Sequence, residues 1–368
     1  MTETADVVIV GGGIAGLSLA AALTAGDRAK LRVTLVEAEH SLAYHTSSRS
    51  ARQLIPSYGP EVIQQLTNRT LTLIRELEQD LPTPVLSPRA FMLVGSENDV
   101  AARASGAMER IPWEEAVGLC PQISPAAQEQ GYDAAGLDTT AVGCNTDVLL
   151  EHHRSAAEAG GTNIMTGARV HSVQKLRTAW EIGAGSHAVH AAVVVNAAGA
   201  WADELAVLSG VATQGMRPYR RTAAVIAADN IPSPDSPMVA AADDSFYFRR
   251  DDDGLLISPA ESVPRVPEDA QPRPEDLEAL MASLDTLTTL GIGSVMRAWT
   301  GLRTQVADGL PVVGFDPEAE GFFWLAGQGG YGFQTSSAIA ELSAGLITGT
   351  KEGSAAGQSL ASSLAAGR

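Results

Sequence analysis

Cysteine is nearly absent from this chain: Cys120 and Cys144 are the only two in 368 residues. They supply neither a disulfide framework nor the paired spacing of a zinc site, so a stapled extracellular scaffold is excluded and a reducing cytoplasm is expected. Basic side chains are also scarce, with 25 Lys and Arg against 43 Asp and Glu and a net charge of −18. Nucleic acid and anionic membrane surfaces would be repelled by that balance. No uninterrupted apolar run reaches the roughly 18 residues that a membrane span requires. The N-terminal apolar stretch carries acids where a secretory leader has a basic region, and three glycines break it. No internal repeat and no Gly-x-Ser-x-Gly elbow is present. The histidines give no metal-ligand spacing: His152 and His153 would point about 100 degrees apart on a helix, and His171, His187 and His190 have no acid or thiol cluster beside them. No metal centre is expected.

What is present begins at once. Val7-Val8-Ile9-Val10 reads as a buried parallel strand, Gly11-Gly12-Gly13-Ile14-Ala15-Gly16 as a turn, and the stretch Ala15 to Leu23 as a helix. Gly11 permits the tight turn, Gly13 lets backbone N–H groups approach a pyrophosphate at the helix N-terminus, and Gly16 lets the helix pack closely on the strand. A second apolar run, Val33-Thr34-Leu35-Val36, ends at Glu37. An acid there accepts hydrogen bonds from a ribose hydroxyl and disfavours a 2′-phosphate, so FAD or NAD is expected ahead of NADP.

Further along, the loop Ser41 to Tyr58 is dense in hydroxyls and arginine, and Ile63, Leu66, Leu73 and Leu77 recur at helical spacing after it. Phe91-Met92-Leu93-Val94 reads as a strand of a second domain. Asn145 opens a helix that stops at Gly160-Gly161, and Ala191 to Val195 forms another buried strand ending in Asn196-Ala197-Ala198-Gly199-Ala200-Trp201. Strands are expected over Tyr219 to Ala227 and Phe246 to Pro259, the latter broken by an exposed turn at Asp251-Asp252-Asp253-Gly254. Leu277, Leu280, Met281 and Leu284 mark a helix. Phe322 to Ala326 is a strand that stops at Gly327-Gln328-Gly329-Gly330-Tyr331-Gly332, with a helix from about Gln334 to Ile347 after it; an Ala/Ser/Gly-rich end follows Gly353.

Two strand, glycine turn and helix units thus lie at opposite ends of the chain. The fold expected is α/β, an α+β mixture overall, with a discontinuous Rossmann-like nucleotide domain (1–80, 145–218 and 298–368) and a second domain with a mixed, mainly antiparallel sheet and helices (81–144 and 219–297). A second helix N-terminus at the cofactor is something a simple NAD-linked dehydrogenase does not need.

Five stretches carry a resemblance: Tyr44 to Ala51, Asn196 to Trp201, Asp244-Ser245-Phe246-Tyr247, Trp299-Thr300-Gly301-Leu302-Arg303, and Gln328 to Gly332. Through them the chain resembles, end to end, the FAD-dependent D-amino-acid oxidase, glycine oxidase and sarcosine oxidase superfamily, and within it looks most like bacterial D-arginine dehydrogenase. The resemblance implies FAD contacts along Gly11, Gly13, Ile14, Ala15, Gly16, Glu37 and Ala38, along Ser47, Ser48, Arg49, Ser50 and Ala51, at Val170, and at Ala198, Gly199 and Trp201. It also implies that Gly329, Gly330, Tyr331, Gly332, Gln334 and Thr335 lie at the pyrimidine edge of the flavin, where helix-end N–H groups stabilise negative charge.

On the substrate side, Arg303 matches an arginine that grips a carboxylate, and it also lies against the cofactor in such enzymes. One of Arg220 and Arg221 matches its partner, since neighbours on a strand face opposite ways and only one can reach the site. Tyr58 and Tyr247 match tyrosines that close over the substrate, with Gly332 at the same pocket. Phe91 stands where the arginine-specific enzyme has an acid, and Gln53 where it has a histidine, so a neutral or apolar substrate side chain is expected. His45 is the one histidine inside the flavin loop, and a structural hydrogen bond is expected of it. Neither cysteine falls near the C-terminal position that tethers flavin in sarcosine oxidases, so FAD should be noncovalent.

The activity implied is oxidation of the Cα–N bond of a D-amino acid, by hydride transfer to flavin N5, to an imino acid that water hydrolyses to a 2-oxo acid and ammonia. Oxygen or a quinone would reoxidise the flavin. Oxidation of glycine, N-methyl amino acids or 2-hydroxy acids is a near neighbour of this reading; an NAD-linked dehydrogenase or a non-catalytic flavin-binding protein are the rivals from other classes.

Overall fold

The computed structural model describes residues 2–26, 31–252, 254–350 and 355–368. Asp253 of the aspartate run and Gly353 at the head of the C-terminal tail lie outside the described residues.

One sheet is built on the strand Thr2–Val10, which pairs in parallel with Val33–Val36 on one side and with His187–Asn196 on the other. Asn163–Met165 extends the first side, and Phe322–Ala326 pairs in parallel with the carboxyl end of His187–Asn196. Val7, Val8, Ile9, Leu35, Val194 and Val195 are almost fully buried because helices cover the sheet, which is why these strands read as unbroken apolar runs. The helix Ile14–Leu23 is apolar on every side and is enclosed between Thr146–Ala159 and Gly332–Thr348. Asn145 caps Thr146–Ala159 by accepting the Val148 N–H at 3.2 Å.

The second large sheet has nine strands, from Val263–Pro264 through Arg217–Ala228, Leu255–Ser258, Tyr247–Arg250, Met238–Ala241, Phe91–Gly95 and Ala134–Asp138 to Glu109–Ile111. Ile292–Gln305 pairs along the other edge of Arg217–Ala228 and continues without a break past residue 298, where the sequence pattern places a domain boundary. Apart from the parallel pair Met238–Ala241 and Phe91–Gly95, the pairings are antiparallel. Alternation divides its faces. Ile226, Phe248 and Ile257 pack under the helix Pro274–Leu287, whereas Val225, Tyr247 and Leu256 pack on the other face with Ile55 and, at the margin, Ala51.

Three expectations need correcting. In the helix Glu61–Leu77 the buried stripe is Ile63, Leu66, Thr67, Thr70, Leu71 and Ile74. Leu73 and Leu77 sit at its half-exposed margin, and two threonines that hydropathy counts as polar take core positions: Thr67 donates its hydroxyl to the Ile63 carbonyl at 2.8 Å, and Thr70 Oγ1 accepts the Ala338 N–H at 3.2 Å. The turn after Arg250 is the expected hairpin between Tyr247–Arg250 and Leu255–Ser258, but it is not exposed throughout: the Asp251 carboxylate is nearly buried between Arg249 and Arg297. The C-terminal tail carries a helix, Ala355–Leu364, anchored by the fully buried Leu364. Among the described residues no helix is long and apolar enough to cross a membrane.

Candidate active site

The two sheets meet along a trench with two connected chambers that share Gly13, Thr46, Ser47, Ala197, Gly199 and Ala200. The first, of about 390 Å³, lies beyond the carboxyl ends of the parallel strands and is lined by Gly11, Glu37, Ala38, Val170, Ala198 and Trp201. Both oxygens of Glu37 are held: Oε2 accepts the Gly12 N–H at 2.7 Å and Oε1 the Glu39 N–H at 2.8 Å. Each oxygen keeps a lone pair for a ribose hydroxyl. Gly11 has φ +115° and lies so close to Ala197 that a Cβ would meet its carbonyl oxygen at 2.3 Å. A Cβ on Gly16 would stand 1.9 Å from the Gly11 oxygen. Gly16 therefore serves helix packing and does not itself line the trench.

Ser47 comes over the start of the first helix and accepts the Ile14 N–H on Oγ at 3.0 Å. Ser50 and Ala51 continue the wall into the second chamber, and Ser48 turns outward, its hydroxyl donating to the carbonyls of Tyr44 and His45. Arg49 lines the chamber along its stem, but its guanidinium is committed to the carbonyls of Thr300 at 2.6 Å and Ala270 at 3.1 Å and to Asp269. His45 packs at a tilt against Trp201 with ring centres 4.6 Å apart and bonds to Glu39 at 3.1 Å.

The second chamber, of about 240 Å³, runs from Gly13 to the sheet of nine strands. Arg221 and Ala223 project into it from Arg217–Ala228, and Arg303 from the neighbouring strand, where Gly301 lies directly across from Arg221 and leaves room for its side chain. Arg220 takes the opposite face, almost fully buried against Asp276 and with Nε 3.5 Å from Glu261 Oε1. This settles by alternation which arginine of the pair meets the cavity and removes Arg220 from it.

Arg221 donates Nε–H to the Glu261 carbonyl at 2.7 Å. Burial, followed by the nearby Arg303 cation, holds its pKa below the usual arginine value, while Tyr247 and Tyr58 lie close enough to oppose that shift. Among the described residues neither Arg221 nor Arg303 has a carboxylate within ion-pair distance. Two unneutralised guanidinium groups in one cavity form an anion site.

The closing glycine turn completes the chamber. Gly329, Gly330 and Gly332 line it at the N-terminus of Gly332–Thr348, and a Cβ on Gly330 would lie 2.9 Å from Arg303 Nη1. Gln334 lines it too, its amide spent on Thr67 and Ile55. Thr335 turns away to bond the Tyr331 carbonyl at 2.8 Å, and the Tyr331 ring packs on Tyr58 rather than on the chamber. Burial pushes the Tyr331 hydroxyl up to about 12. Gln53 reaches the wall with its amide held by the Arg89 carbonyl at 2.9 Å. Phe91, Leu93, Met108 and Met238 make the remaining wall apolar. Sequence reasoning missed Arg103, which forms a two-pronged pair with Asp244 at the chamber beside Tyr58. Asp244 stood within a quoted motif; Arg103, at the end of a short helix, carried no signal.

A family model for FAD dependent oxidoreductases matches residues 6–346. The chain belongs to that family. This FAD-dependent oxidoreductase is 25% identical over 405 residues to FAD-dependent oxidoreductase domain-containing protein 1 of Bos taurus, covering 94% of the chain and 81% of that protein. Its fold matches glycine oxidase from Geobacillus kaustophilus, with a TM-score of 0.81, 20% identity and coverage of 95% and 96% of the two chains. It also matches L-proline dehydrogenase from P.horikoshii, with a TM-score of 0.82, 19% identity and coverage of 95% and 94%. The residues present fit FAD: an acid with free lone pairs at one end of the trench, a glycine turn and helix N-terminus at its middle, and a second helix N-terminus facing the inner chamber.

Proposed function

We propose that the protein oxidises the Cα–N bond of a D-amino acid with a neutral or apolar side chain, using noncovalent FAD. The observation that carries this reading is the pair of unneutralised guanidinium groups, Arg221 and Arg303, at the inner chamber. A substrate carboxylate is gripped from two sides and offsets one of the two charges, leaving the site net positive. The same positive charge disfavours an ammonium on the adjacent Cα, so the amine is held in its neutral, reactive form. Tyr58 and Tyr247 flank the clamp, and Phe91, Leu93 and Met238 receive the side chain without a charge to pair a cation. FAD, held along Gly11, Glu37 and Ser47, would supply the two-electron oxidising capacity that loss of the Cα hydrogen as hydride requires. The lone pair of the amine completes the C=N bond of the imino acid, the amine proton leaves to solvent, and water hydrolyses the imine to a 2-oxo acid and ammonia. Catalysis here is positioning: the clamp aims Cα–H, and no protein nucleophile is required.

Noncovalent attachment is favoured because Cys120 and Cys144 are both buried and burial raises both thiols, Cys120 to about 11 and Cys144 to about 12. The test is anaerobic bleaching of the flavin with D- and L-amino acids, glycine, proline, N-methyl amino acids and 2-hydroxy acids, followed by air. Bleaching by neutral D-amino acids ahead of the others supports the reading, and recovery of colour on aeration identifies oxygen as acceptor. Bleaching only by 2-hydroxy acids, or by nothing, overturns it.

A further inference from the structure

The strand Tyr247–Arg250 presents alternate residues to the cavity face of its sheet, so Arg249 follows Tyr247 on that face. Tyr247 lines the chamber; Arg249 stops behind its wall, only 3% exposed. Its Nε donates to the Ala51 carbonyl at 3.0 Å, and its Nη1 to the Arg250 carbonyl at 2.6 Å and to Asp251 Oδ1 at 2.9 Å. The other oxygen of Asp251 takes Arg297 at 2.5 Å. Two cations share the Asp251 carboxylate there, Arg297 from the solvent side, and buried Arg89 lies close enough for Arg249 to repel it, with Asp251 and Asp252 opposing these cations.

That wall is the segment Ser50 to Gln53, which does not hold its shape unaided. Arg52 lies in the left-handed region at φ +58°, costly for a residue with a side chain. Its N–H is satisfied by Ser50 Oγ at 3.0 Å, and its carbonyl accepts the Cys144 N–H at 3.0 Å and Arg89 Nη1 at 3.1 Å. The Ala51 carbonyl has Arg249. Backbone groups of the cofactor loop are thus fastened from outside it by the Cys144 N–H and by the Arg89 and Arg249 side chains, of which Arg249 comes from the sheet carrying the carboxylate clamp. Salt-bridge chemistry alone does not call for this arrangement, because Asp251 already has the solvent-side Arg297 as a partner.

We propose that Arg249 is a positioning residue for the cofactor: it pins the Ala51 carbonyl, thereby fixing the chamber wall made by Ser50 and Ala51, and keeps a positive charge behind that wall which favours the anionic reduced cofactor. The inference rests on FAD lying in the trench and is independent of which substrate is oxidised. The experiment needs no substrate. FAD affinity of reconstituted apoprotein, the midpoint potential of the bound cofactor and the melting temperature are compared for the parent, Arg249→Met and Arg249→Lys.

Arg249→Met should bind FAD about tenfold more weakly, the low end of a charged hydrogen bond, and its potential should become more negative. Arg249→Lys, which keeps the charge without the fork, should bind FAD more weakly than the parent while keeping the parent potential. Parent affinity and potential in Arg249→Met, with only the melting temperature lowered, would overturn the proposal. Should Arg249→Met fail to fold, Arg249→Lys decides: weakened FAD binding at unchanged potential supports it, and unchanged affinity overturns it.

Discussion

Replacing Arg221 by leucine separates what the clamp does for binding from what it costs the fold. Arg221 and Arg303 share a chamber whose one lining carboxylate, Asp244, is taken by Arg103, and burial and the neighbouring Arg303 cation hold the Arg221 pKa below its ordinary value. A cation whose folded pKa is depressed carries a penalty at every pH below that pKa, which includes the whole neutral range, so removing it relieves the folded state. Arg221→Leu should therefore melt above the parent when no carboxylate is present. Function moves the other way. A charged hydrogen bond contributes about 1.5–3 kcal/mol. The guanidinium fork makes two to a carboxylate, and Arg303 remains to hold one side, so the lower end of the doubled range, about 3 kcal/mol, is the fitting figure. At about 1.4 kcal/mol per decade this is on the order of a hundredfold loss in kcat/KM.

The assay is steady-state kinetics beside thermal melts with and without a 2-oxo acid. The ligand should raise the parent melting temperature and leave that of Arg221→Leu nearly unchanged. Arg220→Gln is the control. It breaks the pairs with Asp276 and Glu261 and should lower the melting temperature while leaving kcat/KM near the parent value. A kcat/KM for Arg221→Leu close to the parent, or a larger loss in Arg220→Gln, would refute the assignment of the cavity face.

Other perturbations probe other parts. Gly11→Ala forces a side chain into φ +115° and against the Ala197 oxygen; the strain alone is on the order of 1–3 kcal/mol, and the purified variant should be depleted of FAD by absorbance and melt earlier. Phe91→Glu puts an acid on the apolar wall and should move the ratio of kcat/KM for basic over neutral amino acids upward by about tenfold or more; an unchanged ratio would show that Phe91 does not meet the side chain. His153 is buried and held near 3 instead of its ordinary 6.5. Its unfolded form takes up a proton as pH falls below 6.5 while the folded form does not, so stability should fall with pH, by about 2 kcal/mol at pH 5. His153→Gln should flatten that limb in denaturant titrations between pH 7 and 5.

The nucleotide half was largely legible in the sequence because its determinants are local. A buried strand, three glycines and a terminal acid occupy one stretch of chain, and the Gly16 clash is with nearby Gly11, whereas the Ala197 carbonyl that excludes a side chain at Gly11 comes from far along the chain. The substrate side was legible only in kind. Arg220 and Arg221 are equivalent until the sheet has two different faces, one under Pro274–Leu287 and one over the cavity. Period-2 alternation does place Arg249 beside Tyr247, so its orientation was available; that it would meet the Ala51 carbonyl was not, since 198 residues separate the two. The Arg103–Asp244 pair, likewise 141 residues apart, depends on where a helix end and a turn meet.

The pairing of Thr2–Val10 with His187–Asn196 has a consequence for the birth of the molecule. Thr2–Val10 becomes the middle of its sheet, and one of its two flanks lies 186 residues further along the chain, as the pairing of Thr2 with Ala188 shows. Contacts of such long sequence separation slow folding and leave an apolar edge uncovered meanwhile. During synthesis, the glycine turn at Gly11 to Gly13 leaves the ribosome well before the Ala197 carbonyl it packs against, so it is assembled late.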